Sequence, residues 1–171
     1  SVTVTPRHHR LSVAGAAFSL PLADVIVRGD GGWYTGKRFA TADPGQTDGL
    51  VEKQYVNYLR GIDYTLWATR LSAQVIQMII LDYNSPIIED EFDNMATFLA
   101  NRSFLRETLT LELFSYIGLN EPDALVRPGV LYDFADGFQI QFGANIFFGD
   151  GERFGRFDTN DMVYLKTGYS F

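Results

Sequence analysis

The chain has no cysteine among its 171 residues, so neither a disulfide framework nor a thiolate metal site can form. It also lacks any apolar run near the roughly 18 uncharged residues that a transmembrane helix requires. The longest such run, Val75 to Leu81, is interrupted by Gln77. The opening stretch SVTVTPRHHR has no charged segment followed by an apolar one, so no signal peptide is read there. Basic residues are few: 14 Lys and Arg stand against 21 Asp and Glu, for a net charge of −7. That balance speaks against a nucleic-acid partner, which calls for a basic face.

Chemical motifs are scarce as well. No G-x-S-x-G sequence and no glycine loop before a helix occurs. His8 and His9 are adjacent and would point to opposite faces of an extended chain, so they cannot readily share a metal. Asp150, Glu152, Asp158, Asn160 and Asp161 offer oxygen atoms to a calcium ion, but not at EF-hand spacing, and they read as an acidic solvated loop. No metal and no cofactor is therefore expected, and the chain is not read as an enzyme.

What the chain does have is aromatic residues, 15% of the total with 14 Phe and 9 Tyr, together with 16 Gly. This mixture favours strands. In FQIQFGANIFF, the residues Phe138, Ile140, Phe142, Ala144, Ile146 and Phe148 form one apolar set opposite Gln139, Gln141, Gly143, Asn145 and Phe147. Period two over this length is a strand signal that helical spacing does not imitate. TLTLELFSYIGL repeats the pattern, with Leu109, Leu111, Leu113, Ile117 and Leu119 on one side. ALVRPGVLYDF does so again, and ADVIVRGDGGWYTG sets Val25, Val27 and Trp33 against Asp24, Arg28 and Asp30. YVNYLRGIDYTLW also reads as a strand, with Arg60 falling among the apolar residues Val56, Tyr58, Ile62 and Tyr64. LSAQVIQMIILDY and NMATFLANRSFL are strands with apolar residues of both parities, and the facing near 54–66, 71–83 and 94–105 is left unassigned.

Connections alternate in length. Short ones are read near Leu20 to Ala23, Trp67 to Arg70, Arg106 to Glu107 and Ala135 to Gly137. Longer ones are read at Gly36 to Gln54, Asn84 to Asp93, Asn120 to Asp123 and Gly149 to Asp161. Most of the acids fall in the longer loops, so the strands themselves are nearly neutral. This pattern describes an antiparallel up-and-down meander whose two ends meet different surroundings.

The face opposite the apolar one carries Gln, Asn, Gly, Tyr and mixed Arg and Asp, with almost no Lys. It is a poor water-exposed surface and a fitting wall for a wet barrel interior. Phe138 and Phe148 lie about 33 Å apart along a strand, which a tilt of about 40° reduces to roughly 25 Å, the apolar height of an outer-membrane barrel. Aromatics at the ends of that band, namely Trp33, Trp67, Tyr132, Phe134, Phe138, Phe148, Tyr169 and Phe171, are expected to form an interfacial girdle. The polar set expected to line the pore is Arg10, Arg28, Asp30, Glu112, Arg127, Asp133, Gln139, Gln141, Asn145 and Lys166. Those charges either set a selecting field or pair with one another and fill a narrow interior.

The last strand carries a resemblance. With Leu165, Tyr169 and Phe171 at alternate positions, Thr167 a weaker member and Lys166 where Gly is common, MVYLKTGYSF resembles the closing strand of Gram-negative outer-membrane β-barrels. The stretch from Val126 to Phe171 is also similar to the C-terminal end of a large porin-like family of outer-membrane domains of unknown function. Those barrels are considerably longer than this chain and are often discussed as partners of exporters of hydrophobic molecules. The resemblance implies an outer-membrane location and contact with lipid and lipopolysaccharide. It also implies recognition of the C-terminal strand by the barrel-assembly machinery.

The combined expectation is an all-β transmembrane barrel with about nine or ten strands in this chain, the tenth from SVTVTP. Residues 1–171 would be a single barrel domain or the C-terminal portion of one, closed by further strands or a partner chain if the barrel is larger. The expected function is a channel or transport component passing small solutes or hydrophobic molecules. The alternative is a structural or partner-binding barrel with a plugged lumen and acidic external loops.

Overall fold

The computed structural model describes residues 9–171. His8 and the expected strand in SVTVTP lie outside the described residues. Nine strands follow in chain order: β1 Ser12–Leu22, β2 Val25–Ala40, β3 Leu50–Leu66, β4 Thr69–Ile80, β5 Phe92–Phe104, β6 Leu109–Gly118, β7 Asp123–Ala135, β8 Phe138–Gly149 and β9 Met162–Tyr169. One short 3-10 turn, Gly155–Phe157, lies between β8 and β9. Every strand pairs antiparallel with its neighbours in sequence, giving one up-and-down sheet ordered β1 to β9. The expected all-β meander is thus the observed architecture.

Residues directly opposite each other in an antiparallel ladder share a face, so the register assigns both faces of the sheet. One row reads Phe18, Gly29, Arg60, Val75, Ala96, Ile117, Ala124 and Phe148. Three residues further along each strand, another row crosses the sheet as Ile26, Asp63, Ser72, Leu99, Phe114 and Arg127. The first face is apolar but for Arg60, and the second sets Asp63, Ser72 and Arg127 among Ile26, Leu99 and Phe114. The three segments with unassigned facing are strands whose lower parts obey the same parity. Arg60 does stand on the apolar face.

The polar face is the crowded one. Asp63, Ser72 and Thr97 are less than a tenth exposed, whereas Phe142 and Ile62 on the other face are each 52% exposed. A curved sheet crowds its concave side, so the polar residues look inward and the apolar ones outward. Among the described residues, the buried hydrophobic core is only Phe39, Ile80 and Ile87. A water-soluble sandwich or lipocalin would hide its apolar face; here that face stands open from β1 to β9.

The connections separate into two ends. At one end β3 turns into β4 through Trp67 and Ala68 alone, both at positive φ (46° and 63°), the handedness that two-residue hairpin turns require. At the other end one loop is shorter than expected. β2 and β3 run on to Ala40 and from Leu50, so the stretch from Gly36 to Gln54 is mostly paired strand. A bulge between Tyr34 and Lys37, with Gly36 at φ 88°, shifts the register so that the ladder resumes at Lys37 opposite Lys53. The connection between β6 and β7 runs from Leu119 to Pro122, one residue earlier than expected, so that Asp123 belongs to the strand.

Substituting Phe142 by Arg is expected to lower folding stability in lipid vesicles by about 2–4 kcal/mol. Arg at the adjacent Gln141, on the opposite face, is expected to cost far less. Urea titration of vesicle-folded protein, read by heat-modifiable gel migration, compares the two, and equal losses would refute the facing assigned to β8.

Candidate functional site: the inward polar face and its loop-covered end

The inward face is stitched by side-chain pairs that cross strands. The Arg28 guanidinium on β2 lies 2.6 Å from the Asp63 carboxylate on β3. Arg127 on β7 donates to Asn145 on β8 at 3.0 Å, and Gln139 on β8 donates to Asp133 on β7 at 2.9 Å. Asn101 on β5 donates to Glu112 on β6 at 3.3 Å. Each partner occupies the position across the ladder or a diagonal neighbour, the geometry in which sheet side chains meet.

The remaining expected pore residues are placed as follows. Asp30 is exposed on the inward face, opposite Ala17 and Leu59. Gln141 lies across from Lys166, whose ammonium sits 4.8 Å from the Tyr164 ring centroid. Arg10 precedes β1 and belongs to no strand, with its carbonyl lying against Gly36 of β2. Asp63, Ser72 and Thr97 were not singled out from the sequence, although Asp63 is the partner that Arg28 needs. Its signal was the parity of GIDYTL, which places Asp63 opposite Ile62.

The end with the longer connections is not open. The connection from Leu81 to Glu91 folds against the β2–β3 hairpin. Thr41 and Ile87 form a bridge, Ala42 donates to the Pro86 carbonyl, and Ile88 donates to that of Ala40. Ile87 thereby packs with Phe39 and Ile80, flanked by Val51, Tyr55, Met78 and Tyr83. Lys37 stands over both the Phe39 and Tyr55 rings, at 4.4 and 4.8 Å from their centroids, and Tyr34 stacks on Tyr55 at 4.5 Å.

A second loop closes over β6 and β7. The Asp123 carboxylate is 5% exposed as a residue and accepts the backbone N–H groups of Phe154 at 2.7 Å and Gly155 at 3.4 Å. Glu121 accepts from Glu152 N–H at 2.8 Å, Arg153 reaches both oxygens of Asp93 at 2.5 and 2.6 Å, and Phe154 lies 5.9 Å from Tyr116 between ring centroids. Asp123 therefore opens a strand, where the sequence had placed it in the connection from Asn120 to Asp123. It is the anchor of the β8–β9 connection. Side chains of Glu89, Asp90, Asp93, Glu121, Glu152 and Arg153 border a cleft of about 390 Å³ beside it.

The aromatics expected as a girdle fall at both ends of the apolar face. Trp67, Tyr132, Phe134, Phe138, Tyr169 and Phe171 mark the short-turn end, where Phe138 and Tyr169 lie 4.4 Å apart and Phe134 and Phe138 lie 5.5 Å apart. Trp33 and Phe148 mark the other end, with the Trp33 indole donating to Gln54 at 3.2 Å.

Comparison with known proteins gives a fold. The solved structure entitled "Outer-membrane expressed OmpT of Vibrio cholerae" matches with a TM-score of 0.50 and 16% identity, over 81% of this chain and 46% of that one. The chain thus has the fold of an outer-membrane β-barrel protein and spans less than half the length of the one it matches. No family model and no curated protein matches. The sequence-based exclusion of an enzyme is corrected here. The matched barrel is an outer-membrane protein named OmpT, and a likeness confined to fold does not separate a passive barrel from a catalytic one, so the exclusion is withdrawn.

Replacing Asp123 by Ala removes the acceptor of two loop N–H groups. Hydrogen bonds to a charged group are worth about 1.5–3 kcal/mol each, so the 150–161 loop is expected to detach while the strands stay folded. Limited proteolysis should cut the variant within this loop well before wild type, and unchanged cleavage would show that Asp123 does not anchor it.

Proposed function

We propose that this chain forms wall strands of an outer-membrane passage for small solutes or hydrophobic molecules. The observation that carries the reading is the contrast between the two faces: an uncovered apolar face outward and a face of paired charges and amides inward. In hydrocarbon, a sheet of this kind anchors by its apolar side while its inner side keeps a polar path. The Arg28–Asp63 pair and the Arg127–Asn145 contact are the groups that a passing solute would meet. Asp30, Glu112, Asp133, Gln139, Gln141 and Lys166 complete the proposed lining.

Closure follows from parity. In a nine-stranded meander, β1 and β9 run in the same direction, so a direct seam between them, or between two copies sharing one membrane orientation, would be parallel. An odd number of further strands lets every pairing be antiparallel and makes the total even, as in single-chain bacterial barrels. Free strand edges in lipid would leave backbone groups unsatisfied, so these strands are part of the proposal. Outer-leaflet lipopolysaccharide against the loop acids, and recognition of β9 by the assembly machinery, belong to the same reading.

A second reading is favoured by the inward-folded loops. With the 81–91 and 150–161 connections pinned over the inner face, the barrel would be occluded and would act as a structural or partner-binding element.

Protein taken from outer membranes into planar bilayers is expected to conduct, and Arg28→Ala is expected to shift the cation-to-anion permeability ratio toward cations. Silence in the bilayer, together with a stably co-purifying chain, would replace the passage by the occluded barrel. Single cysteines placed along β1 and β9, in a chain with none of its own, are expected to form no disulfide with each other. A β1–β9 disulfide would refute the additional strands.

A further inference from the structure

Among the described residues, the outward face within the band carries one charge away from its ends. On β3, Arg60 lies midway between Val56, which stands opposite Trp33, and Tyr64 near the short-turn end. At about 3.3 Å per residue and a tilt of about 40°, each lies some 10 Å from Arg60 in depth. Arg60 is exposed, has no carboxylate within ion-pairing distance among the described residues, and places its guanidinium carbon 5.1 Å from the centroid of the Tyr58 ring.

Its polar neighbours are treated differently. The Tyr58 hydroxyl donates to Gln77, Gln77 to Asn94, and Asn94 to Asn120, a row that climbs the same face and satisfies itself. Around Arg60 the wall is cut back. Ala16, Gly31, Ala73 and Ala96 surround it, with Phe18 packed over Gly29, and leave a hollow of about 720 Å³ on the apolar face. An arginine facing lipid at this depth costs about 2–4 kcal/mol, and small residues in a membrane face let another backbone approach closely.

We infer that the Arg60 hollow is the seat of a second membrane-embedded polypeptide that brings a carboxylate to mid-depth. This rests on the outer-membrane reading above. Depth argues for protein over lipid, since a lipid phosphate lies at the band's edge and a polypeptide can hold Asp or Glu at its centre. Charge argues against a second copy, because between its aromatic ends this chain's apolar face carries no carboxylate. Partner and hollow match in sign and in size class: an anion for Arg60, with backbone or small side chains over Ala16, Gly31, Ala73 and Ala96.

The test converts the ion pair into a bond. Full-length protein with Arg60→Lys, in intact outer membranes, is treated with a membrane-permeant carbodiimide, which joins an amine to a carboxylate in contact. The expected product is an isopeptide bond from position 60 to an Asp or Glu of a different polypeptide, mapped by mass spectrometry and lost in Arg60→Leu. An uncoupled position 60, coupling within this chain or to a second copy, or a lipid phosphate adduct would overturn the inference. Ala96→Cys supplies a readout that leaves Arg60 intact. Its alkylation by a lipid-soluble maleimide is expected to be at least tenfold slower in native membranes than in phosphatidylglycerol and phosphatidylethanolamine vesicles holding the purified protein, and equal rates would overturn the docking. Protein recovered in the soluble fraction would defeat the outer-membrane reading itself, whereas membrane-bound protein with neither signal defeats only the partner.

Discussion

Backbone groups in hydrocarbon have no water to turn to, and on the outer-membrane reading proposed above that constraint shapes every part of this chain. A helix satisfies them within one segment and a sheet between neighbours. With no apolar run long enough for a helix, the chain satisfies its N–H and C=O groups sideways, from β1 through β9 in unbroken antiparallel order. Once the ladder exists, alternation sends successive side chains to opposite solvents. Large apolar residues can then be exposed at no cost, and polar ones can pair behind them.

Much of this was legible beforehand, and the reason is local. FQIQFGANIFF and TLTLELFSYIGL carry their facing in their own alternation, so strand identity and outward set could be read without knowing any partner. β4 resisted because it serves two environments. Val75 and Ile79 obey the outward parity, while Met78 and Ile80 belong to the small core at the loop end. β5 resisted because Met95 and Leu99 are apolar on the inward face. In both, tertiary packing adds a second apolar set that alternation alone cannot separate.

The site was less legible because its pairs are distant in sequence. Arg28 and Asp63 are 35 residues apart, and Arg153 and Asp93 are 60 apart. Composition marked the charged residues but could not say which acid answers which base. Asp123 is the sharpest case. As one acid among many it was placed in the connection from Asn120 to Asp123, yet position and burial make it an acceptor for two backbone N–H groups of the loop after β8. The over-long loop read from Gly36 to Gln54 has a related cause. A bulge breaks the period at Gly36, and pairing that resumes after a phase change looks in sequence like pairing that has stopped.

The contact between Thr41 and Ile87 has a mechanical consequence. Neighbouring hairpins of a meander are joined only edge to edge, and each can slide or breathe against the next. Bridging the tip of the β2–β3 hairpin to the connection after β4, with Phe39, Ile80 and Ile87 packed beneath, adds a cross-brace away from the ladder. Shear between these strands must then break the brace as well as the hydrogen bonds. That corner becomes a stiff collar on the rim, against which the rest of the wall flexes.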